Sequence, residues 1–463
     1  MTILERAARG IVVFDGAIGT MLEGYLAPGE LPELLNLTMP DVVCGVHRAY
    51  LDAGSHVVET NTLNANRLNL DKVGRSVEEV IGAAVRCARR AVAESGRAGE
   101  VALSMGSLGV MIEPFGALSF EAAYDLYAQM ARAGAQAGAD LIIIETISDL
   151  REAKAAVLAA KGETDLPVAV TLTYFENGKL LTGADAKTCA AVLGALGADI
   201  IGLNCGLGPS QMRAMVEDYA NVSRAPILVN PNAGMPALVD GKSVYAVAPD
   251  AFAEETAALV QLGARLVGGC CGTTPAHIRA LTSRIAELDA PAPKQSARCV
   301  VASGAQSVEF AEKPVEICDV SADDIEDMID SALETHAEII LVEYTPLADA
   351  VQALQETIRK PLYLVASSPE EARRALRLYD GAPILGVATH ADIDAYESIA
   401  KSGGASLAVA DEALFDRASD VLGAHRVFVD CGADAALSQA LTARGVRTIL
   451  RAAGAAAAHV TRD

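Results

Sequence analysis

Three cysteines are the residues of this chain best suited to chemistry: Cys270 and Cys271, adjacent in Gly268-Gly269-Cys270-Cys271-Gly272, and Cys205 in Asn204-Cys205-Gly206. Three soft thiolates suit zinc, with Zn–S distances of about 2.3 Å. Three protein ligands leave a fourth tetrahedral position open. A tris-thiolate site is already anionic, so it activates water poorly. It is better suited to holding a substrate thiol as its thiolate, which predicts alkyl transfer to sulfur. The other reading of the same residues is that they are small buried hydrophobes. Adjacent cysteines on a strand point to opposite faces, so both reach one metal only where the backbone turns. Gly268, Gly269 and Gly272 permit such a turn. The remaining cysteines, Cys44, Cys87, Cys189, Cys299, Cys318 and Cys431, read as structural.

These residues must be positioned by the elements around them. Apolar runs at 11–17, 56–62, 102–107, 141–147, 167–173, 200–206, 226–232 and 266–272 are apolar on both faces and read as buried parallel strands. Helical spacing fills the intervals, as at 77–94, 120–137 and 251–262. Eight strand–helix repeats predict a (β/α)8 TIM barrel over 1–288. An open doubly wound sheet is the alternative; the regular repeats and the lack of a Gly-rich phosphate turn favour the barrel. Polar clusters fall at the C-terminal strand ends: Asp15-Gly16-Ala17, Glu59-Thr60-Asn61-Thr62, Gly106-Ser107, Glu145-Thr146, Asn204-Cys205, Asn230-Pro231-Asn232 and the double cysteine. In such a barrel those ends form the active face. Residues 289–312 read as a linker, and 313–463 as a second compact, barrel-like α/β domain with about seven strands and near-minimal loops.

Composition excludes other classes. The chain has 463 residues and a net charge of −23, no Trp and 4% aromatics. That charge repels phosphate backbones and anionic membranes, and the paucity of aromatics leaves few stacking platforms for nucleic acid. No secretory leader and no apolar run of membrane-spanning length is evident. Nine cysteines without a disulfide-scaffold spacing suit a reducing, cytoplasmic setting.

The runs DGAIGTML, ETNTLNANRLNL, IETISDLREAKAA, GLNCGLGP, NPNAGMP and GGCCGTTPAHI resemble the homocysteine S-methyltransferase family over about residues 10–285. The resemblance implies that Cys205, Cys270 and Cys271 bind Zn2+ and that homocysteine sulfur takes the open position, giving methionine. It implies that Asp15 and Glu145 hold the substrate ammonium by accepting its hydrogen bonds. Backbone N–H groups around Ala17, Gly19 and Thr20 are expected to bind the carboxylate, with Ser107, Asn204 and Asn232 as further polar contacts. The competing roles are local: a turn at Asp15, an ion pair at Glu145, loop capping at Ser107, Asn204 and Asn232. Glu59, Thr60 and Asn61 are expected to brace the site from behind.

The second domain is similar to the folate-binding module of cobalamin-dependent methionine synthase, at ARCVVASGAQSVEFAEKPVEI and PLYLVASSPEEARRALRLYDGAPIL. The pterin signature is replaced by Cys318-Asp319-Val320-Ser321-Ala322-Asp323, which implies a degenerate pterin-binding barrel. No cobalamin-binding motif is present, so the expected donor is methylcobalamin supplied by a separate corrinoid protein. The alternatives are S-methylmethionine or betaine as donor, or a non-catalytic zinc-bearing scaffold of a methyl-transfer complex.

Overall fold

A computed structural model describes residues 2–27, 29–239, 242–288, 299–310, 315–387, 393–410, 412–423, 426–430, 448–449 and 458–460. The chain divides into two compact units, 1–182 with 198–294 and 183–197 with 295–463.

The first unit holds eight parallel strands: β1 Val12–Val13, β2 Val57–Glu59, β3 Glu100–Met105, β4 Leu141–Ile147, β5 Val168–Leu172, β6 Ile200–Asn204, β7 Ile227–Asn230 and β8 Ala264–Val267. From β2 onward each pairs with the next in sequence, and β8 returns to β1. The seam between β1 and β2 closes differently. His56 N–H donates to Val13 O at 2.7 Å, Val13 N–H donates to His56 Nδ1 at 3.0 Å, and Glu59 N–H donates to Asp15 Oδ2 at 3.0 Å. Two side chains thus replace ladder bonds and bring the barrel nearly to closure. Its interior is filled by Phe14, Leu141, Ile143, Ile200 and Leu266, and Ile3 from the N-terminal helix packs against them. Each such burial contributes about 1.5–3 kcal/mol. The outer helices begin where the sequence supplies caps. Ser76, for example, accepts Glu79 N–H at the start of Val77–Ser95, and Gly96 ends that helix in the left-handed region.

Gly202, in the middle of β6, is a close-approach position. A Cβ there would lie 1.7 Å from Leu228 O, a backbone atom of β7. Gly202→Ala is therefore expected to destabilise the protein by about 3 kcal/mol or more through displaced strands. Chemical denaturation read by circular dichroism checks this.

The second unit carries seven parallel strands in chain order, Val315–Asp319, Ile339–Glu343, Leu362–Val365, Ile384–Val387, Ser406–Val409, Val427–Asp430 and Thr448–Ile449. Two features depart from the sequence reading. An eighth strand, Ala458–Val460, runs antiparallel beside the first of the seven. The stretch read as linker, 289–312, lies partly outside the described residues, but within it Cys299–Ala302 and Ser307–Phe310 form an antiparallel hairpin. Its alternation sends Cys299, Val301, Val308 and Phe310 into the interior beside Ile317, Tyr363 and Phe428. The Phe310 and Phe428 ring centroids are 4.8 Å apart. A linker composition was the wrong signal because only every second hairpin residue needs to be apolar. Cys431 lies outside the described residues.

Candidate metal centre

The three cysteines come together as their chemistry requires. Their Sγ atoms all lie within 4.8 Å of one another. Cys205 Sγ is 3.6 Å from Cys271 Sγ, and Cys270 Sγ is 4.0 Å from Cys271 Sγ. Cys205 follows the last residue of β6 in a left-handed conformation, φ 55°. After β8 the chain leaves the strand: Cys270 N–H donates to Pro231 O at 2.8 Å and Thr273 N–H to Cys270 O at 3.1 Å. That turn lets neighbouring cysteines face one point. Gly272 at φ 79° completes it, packed so closely on the Tyr245 ring that no Cβ fits.

The thiols share charge unequally. Hydrogen bonds from Cys205 and Cys270 pull Cys271 down to about 3. Cys270 is pushed up by its bonds to Cys205 and Cys271 and by burial. Without a cation one thiolate forms at the expense of the others. A divalent ion removes that conflict, so the donor set fits zinc.

A cavity of about 200 Å³ opens on the cluster, smaller than a drug-sized pocket. Its wall includes Gly19, Thr20, Glu33, Glu59 and Glu145 besides the thiols, and among the described residues no Lys, Arg or His. Glu145 accepts Ser104 Oγ–H at 2.5 Å and Asn204 Nδ2–H at 3.3 Å. Burial pushes its carboxyl up to about 7 against the Ser104 bond, and the Cys271 charge adds to the rise. Asp15 sits buried at the seam rather than on the wall. Its Oδ2 accepts Glu59 N–H, while Oδ1 has no partner among the described residues. Burial, and then the Glu145 charge, hold Asp15 well above the usual carboxylate range despite the Glu59 bond. Glu59 is raised by burial and by Glu145 and Asp15. A small chamber walled by acids and thiols, with no basic side chain among the described residues, is built to receive positive charge.

The other expected contacts separate. Gly19 and Thr20 line the cavity. Thr20 Oγ1 also accepts Gly272 N–H at 3.1 Å, tying the first loop to the cysteine turn. Ala17 lines the cavity too, but its N–H is already given to Thr273 Oγ1 at 3.1 Å, so that group is unavailable to a carboxylate. Asn204 is fully buried and spends its amide on Glu145 and Thr146. Asn232 is buried outside the wall, its N–H on Leu207 O. Ser107 is not brought to the cavity: its hydroxyl donates to Glu152 Oε2 at 2.9 Å, beside Leu108 N–H and Tyr127 O–H on the same carboxylate. A strand-end position did not distinguish a ligand contact from a buried brace. Ser107→Ala is accordingly expected to cost about 1 kcal/mol of stability in thermal denaturation, with ligand affinity unchanged in calorimetry.

Two participants were missed and a third was placed wrongly. Ser104 orients Glu145, but it sits inside an apolar strand. Glu33, buried on the wall, accepts Asn64 N–H at 2.7 Å, and no motif or local pattern singles it out. Glu59 was expected behind the site yet stands on the wall, where its Oε1 accepts Asn230 Nδ2–H at 3.2 Å.

A family model described as homocysteine S-methyltransferase matches residues 12–285. Among curated proteins, methionine synthase of Mycobacterium tuberculosis is 33% identical over 327 residues, covering 67% of this chain and 27% of that protein. Methionine synthase of Mycobacterium leprae is 33% identical over 334 residues, with 67% and 28% covered. The chain thus spans little more than a quarter of the length of these relatives. The metallated form of the homocysteine methyltransferase MmuM from Escherichia coli is 24% identical, with TM-score 0.50, covering 59% of this chain and 96% of that one; it shares the fold. The matched segment takes in all eight strands of the first barrel and the three cysteines at its mouth, and by that match the chain belongs to the homocysteine S-methyltransferase family.

Proposed function

We propose that the first unit transfers a methyl group to the thiol of homocysteine, giving methionine, with zinc held by Cys205, Cys270 and Cys271. The observation that carries this is the acid- and thiol-walled cavity, which has no basic side chain among the described residues. It fits a small molecule bearing an ammonium and a thiol. Bound zinc supplies a lowered thiol pKa, keeping the sulfur deprotonated yet nucleophilic at neutral pH. The chain's own residues do the rest. Glu145, on the cavity wall, accepts the substrate ammonium, and Asp15, buried behind the wall, holds Glu59 in place by accepting its N–H. Ile18, Gly19 and Thr20 line the cavity at the start of a short helix whose N-cap makes no side-chain bond. Their N–H groups take the substrate carboxylate. Burial keeps these contacts out of competing water.

The proposed donor is a methylcorrinoid carried by a partner protein. The relatives named methionine synthase support it, as does an apolar rim on the loops after β3 and β5. There Phe115 is 74% exposed and Phe175 53%, with Val110 and Leu181 also exposed. Such a rim suits a large docking partner better than a small soluble ion. The second unit reads as a pterin-barrel relative whose interior is filled by Tyr363, Phe310 and Phe428. No helix among the described residues is long and apolar enough to cross a membrane. The eight described cysteines are free, which supports a cytoplasmic setting.

The test offers zinc-loaded protein and homocysteine a choice of methylcobalamin, S-methylmethionine or betaine, and measures methionine. Methionine from methylcobalamin is expected. Methionine from betaine or S-methylmethionine alone overturns the donor assignment. None from any donor overturns the catalytic reading in favour of a zinc-bearing scaffold.

A further inference from the structure

Among the described residues only two non-glycine positions have left-handed backbone, Thr146 at φ 60° and Cys205 at φ 55°. They sit at the ends of β4 and β6. For a β-branched residue such as threonine this conformation is a genuine outlier, which persists only where its surroundings enforce it. At the same place the β4–β5 register slips. Ile144 pairs with Val170 and Ile147 with Leu172, so Glu145 and Thr146 together oppose Thr171. This is a bulge, a device that re-aims side chains. Adjacent strand residues normally point to opposite faces, yet Glu145 and Thr146 both line the cavity.

Ser104 holds Glu145 from one side, and one side chain ties Glu145 and Thr146 together. Asn204 Oδ1 accepts Thr146 N–H at 2.9 Å, and its Nδ2 lies 2.7 Å from Thr146 Oγ1, 3.3 Å from Glu145 Oε2 and 4.0 Å from Cys270 Sγ. An amide nitrogen has two hydrogens, and with Thr146, Glu145 and Cys270 around it none is left for a substrate. The Asn204 carbonyl accepts Thr173 Oγ1–H at 3.0 Å, and Cys205 N–H donates to Asn230 O at 3.0 Å. Asn204 is therefore fixed from both sides and directly precedes a cluster cysteine.

We propose that Asn204 is a positioning residue, not a substrate contact: it clamps Thr146 in its strained conformation, aims Glu145 into the cavity, and ties that carboxylate to the backbone that presents Cys205. Its effect on ligand affinity rests on the homocysteine reading above; its effect on the backbone does not.

The test is a double-mutant cycle of Asn204→Ala and Thr146→Gly. It is read by the denaturation midpoint without ligand and by calorimetric titration of the zinc-loaded protein with homocysteine. Asn204→Ala is expected to lower the midpoint and weaken homocysteine by about tenfold or more. Glycine adopts positive φ freely, so Thr146→Gly in the Asn204→Ala background is expected to restore most of the midpoint. It should restore only part of the affinity, because Glu145 still lacks its amide donor. Additive midpoint changes overturn the clamp, since independent residues do not couple. Should Asn204→Ala not fold, Asn204→Asp serves in its place: it keeps the acceptor for Thr146 N–H and loses both donors. It is then expected to hold the midpoint better than it holds affinity. An Asn204→Asp protein that binds homocysteine like the parent also overturns the clamp. If the parent itself does not bind homocysteine, the functional reading fails while the midpoint cycle still decides the clamp.

Discussion

Cys271→Ala is expected to reduce zinc from about one per chain to below about 0.1, and methionine formation by about a thousandfold or more. The reason lies in the donor set. Cys271 is the thiol that both neighbours support: Cys205 lies 3.6 Å and Cys270 4.0 Å from it, Sγ to Sγ. It carries the cluster's negative charge most readily. Removing it leaves two thiols, one of them strongly disfavoured as a thiolate, and no other metal-ligating group was found with them among the described residues. Zinc is measured by metal analysis after gel filtration in a weak chelator. Full zinc retention with full activity in this variant would refute the ligand assignment. The fold itself is expected to survive, because the cysteines stand beyond the last residues of β6 and β8 rather than in the barrel interior.

Glu145→Gln is expected to move stability and affinity in opposite directions. The Glu145 carboxyl is raised from 4.5 to about 7, chiefly by burial. A carboxyl whose folded pKa lies above its unfolded one favours the fold while protonated. That contribution is complete below about pH 4.5 and is lost as pH rises toward 7. At pH 8 the zinc-free parent therefore carries a cost of about 3 kcal/mol for an unpaired buried charge. Glutamine keeps an acceptor for Ser104 and has no charge. The zinc-free variant should be more stable at pH 8 by about 2–3 kcal/mol and lose the Glu145 share of the fall in stability between pH 4.5 and 7, the share of Asp15 and Glu59 remaining. Homocysteine affinity should fall about a hundredfold, since a buried charge-assisted bond to the ammonium is gone. Urea denaturation across pH and calorimetry of the zinc-loaded form measure the two sides. A variant no more stable than the parent at pH 8 would show that Glu145 is not held against its own desolvation.

Much of the barrel was readable because its strands are buried on both faces. Ile142, Ile143 and Ile144 have no exposed side, and such runs stand out from the amphipathic helices between them. The cysteine cluster was readable because Cys270-Cys271 and Cys205 fall at strand ends, where a barrel converges its loops. Ser107 misled because a strand end also supplies bracing residues, and which of the two it is depends on a distant partner, here Glu152. Asn204 was assigned to substrate because sequence does not show that a bulge at Glu145–Thr146 will consume its amide. Glu33 was invisible for a related reason: its burial comes from tertiary packing, not from any local pattern. In the second unit the hairpin Cys299–Phe310 was hidden by its half-polar alternation. A small polar composition suits a linker and a surface hairpin equally well.

The most direct test of the central claim is zinc K-edge X-ray absorption of the zinc-loaded protein before and after homocysteine is added. The sulfur count at the metal is predicted to rise from three to four, with Zn–S distances near about 2.3 Å. A count that stays unchanged while homocysteine binds would contradict the account, because the substrate thiol would then be held elsewhere.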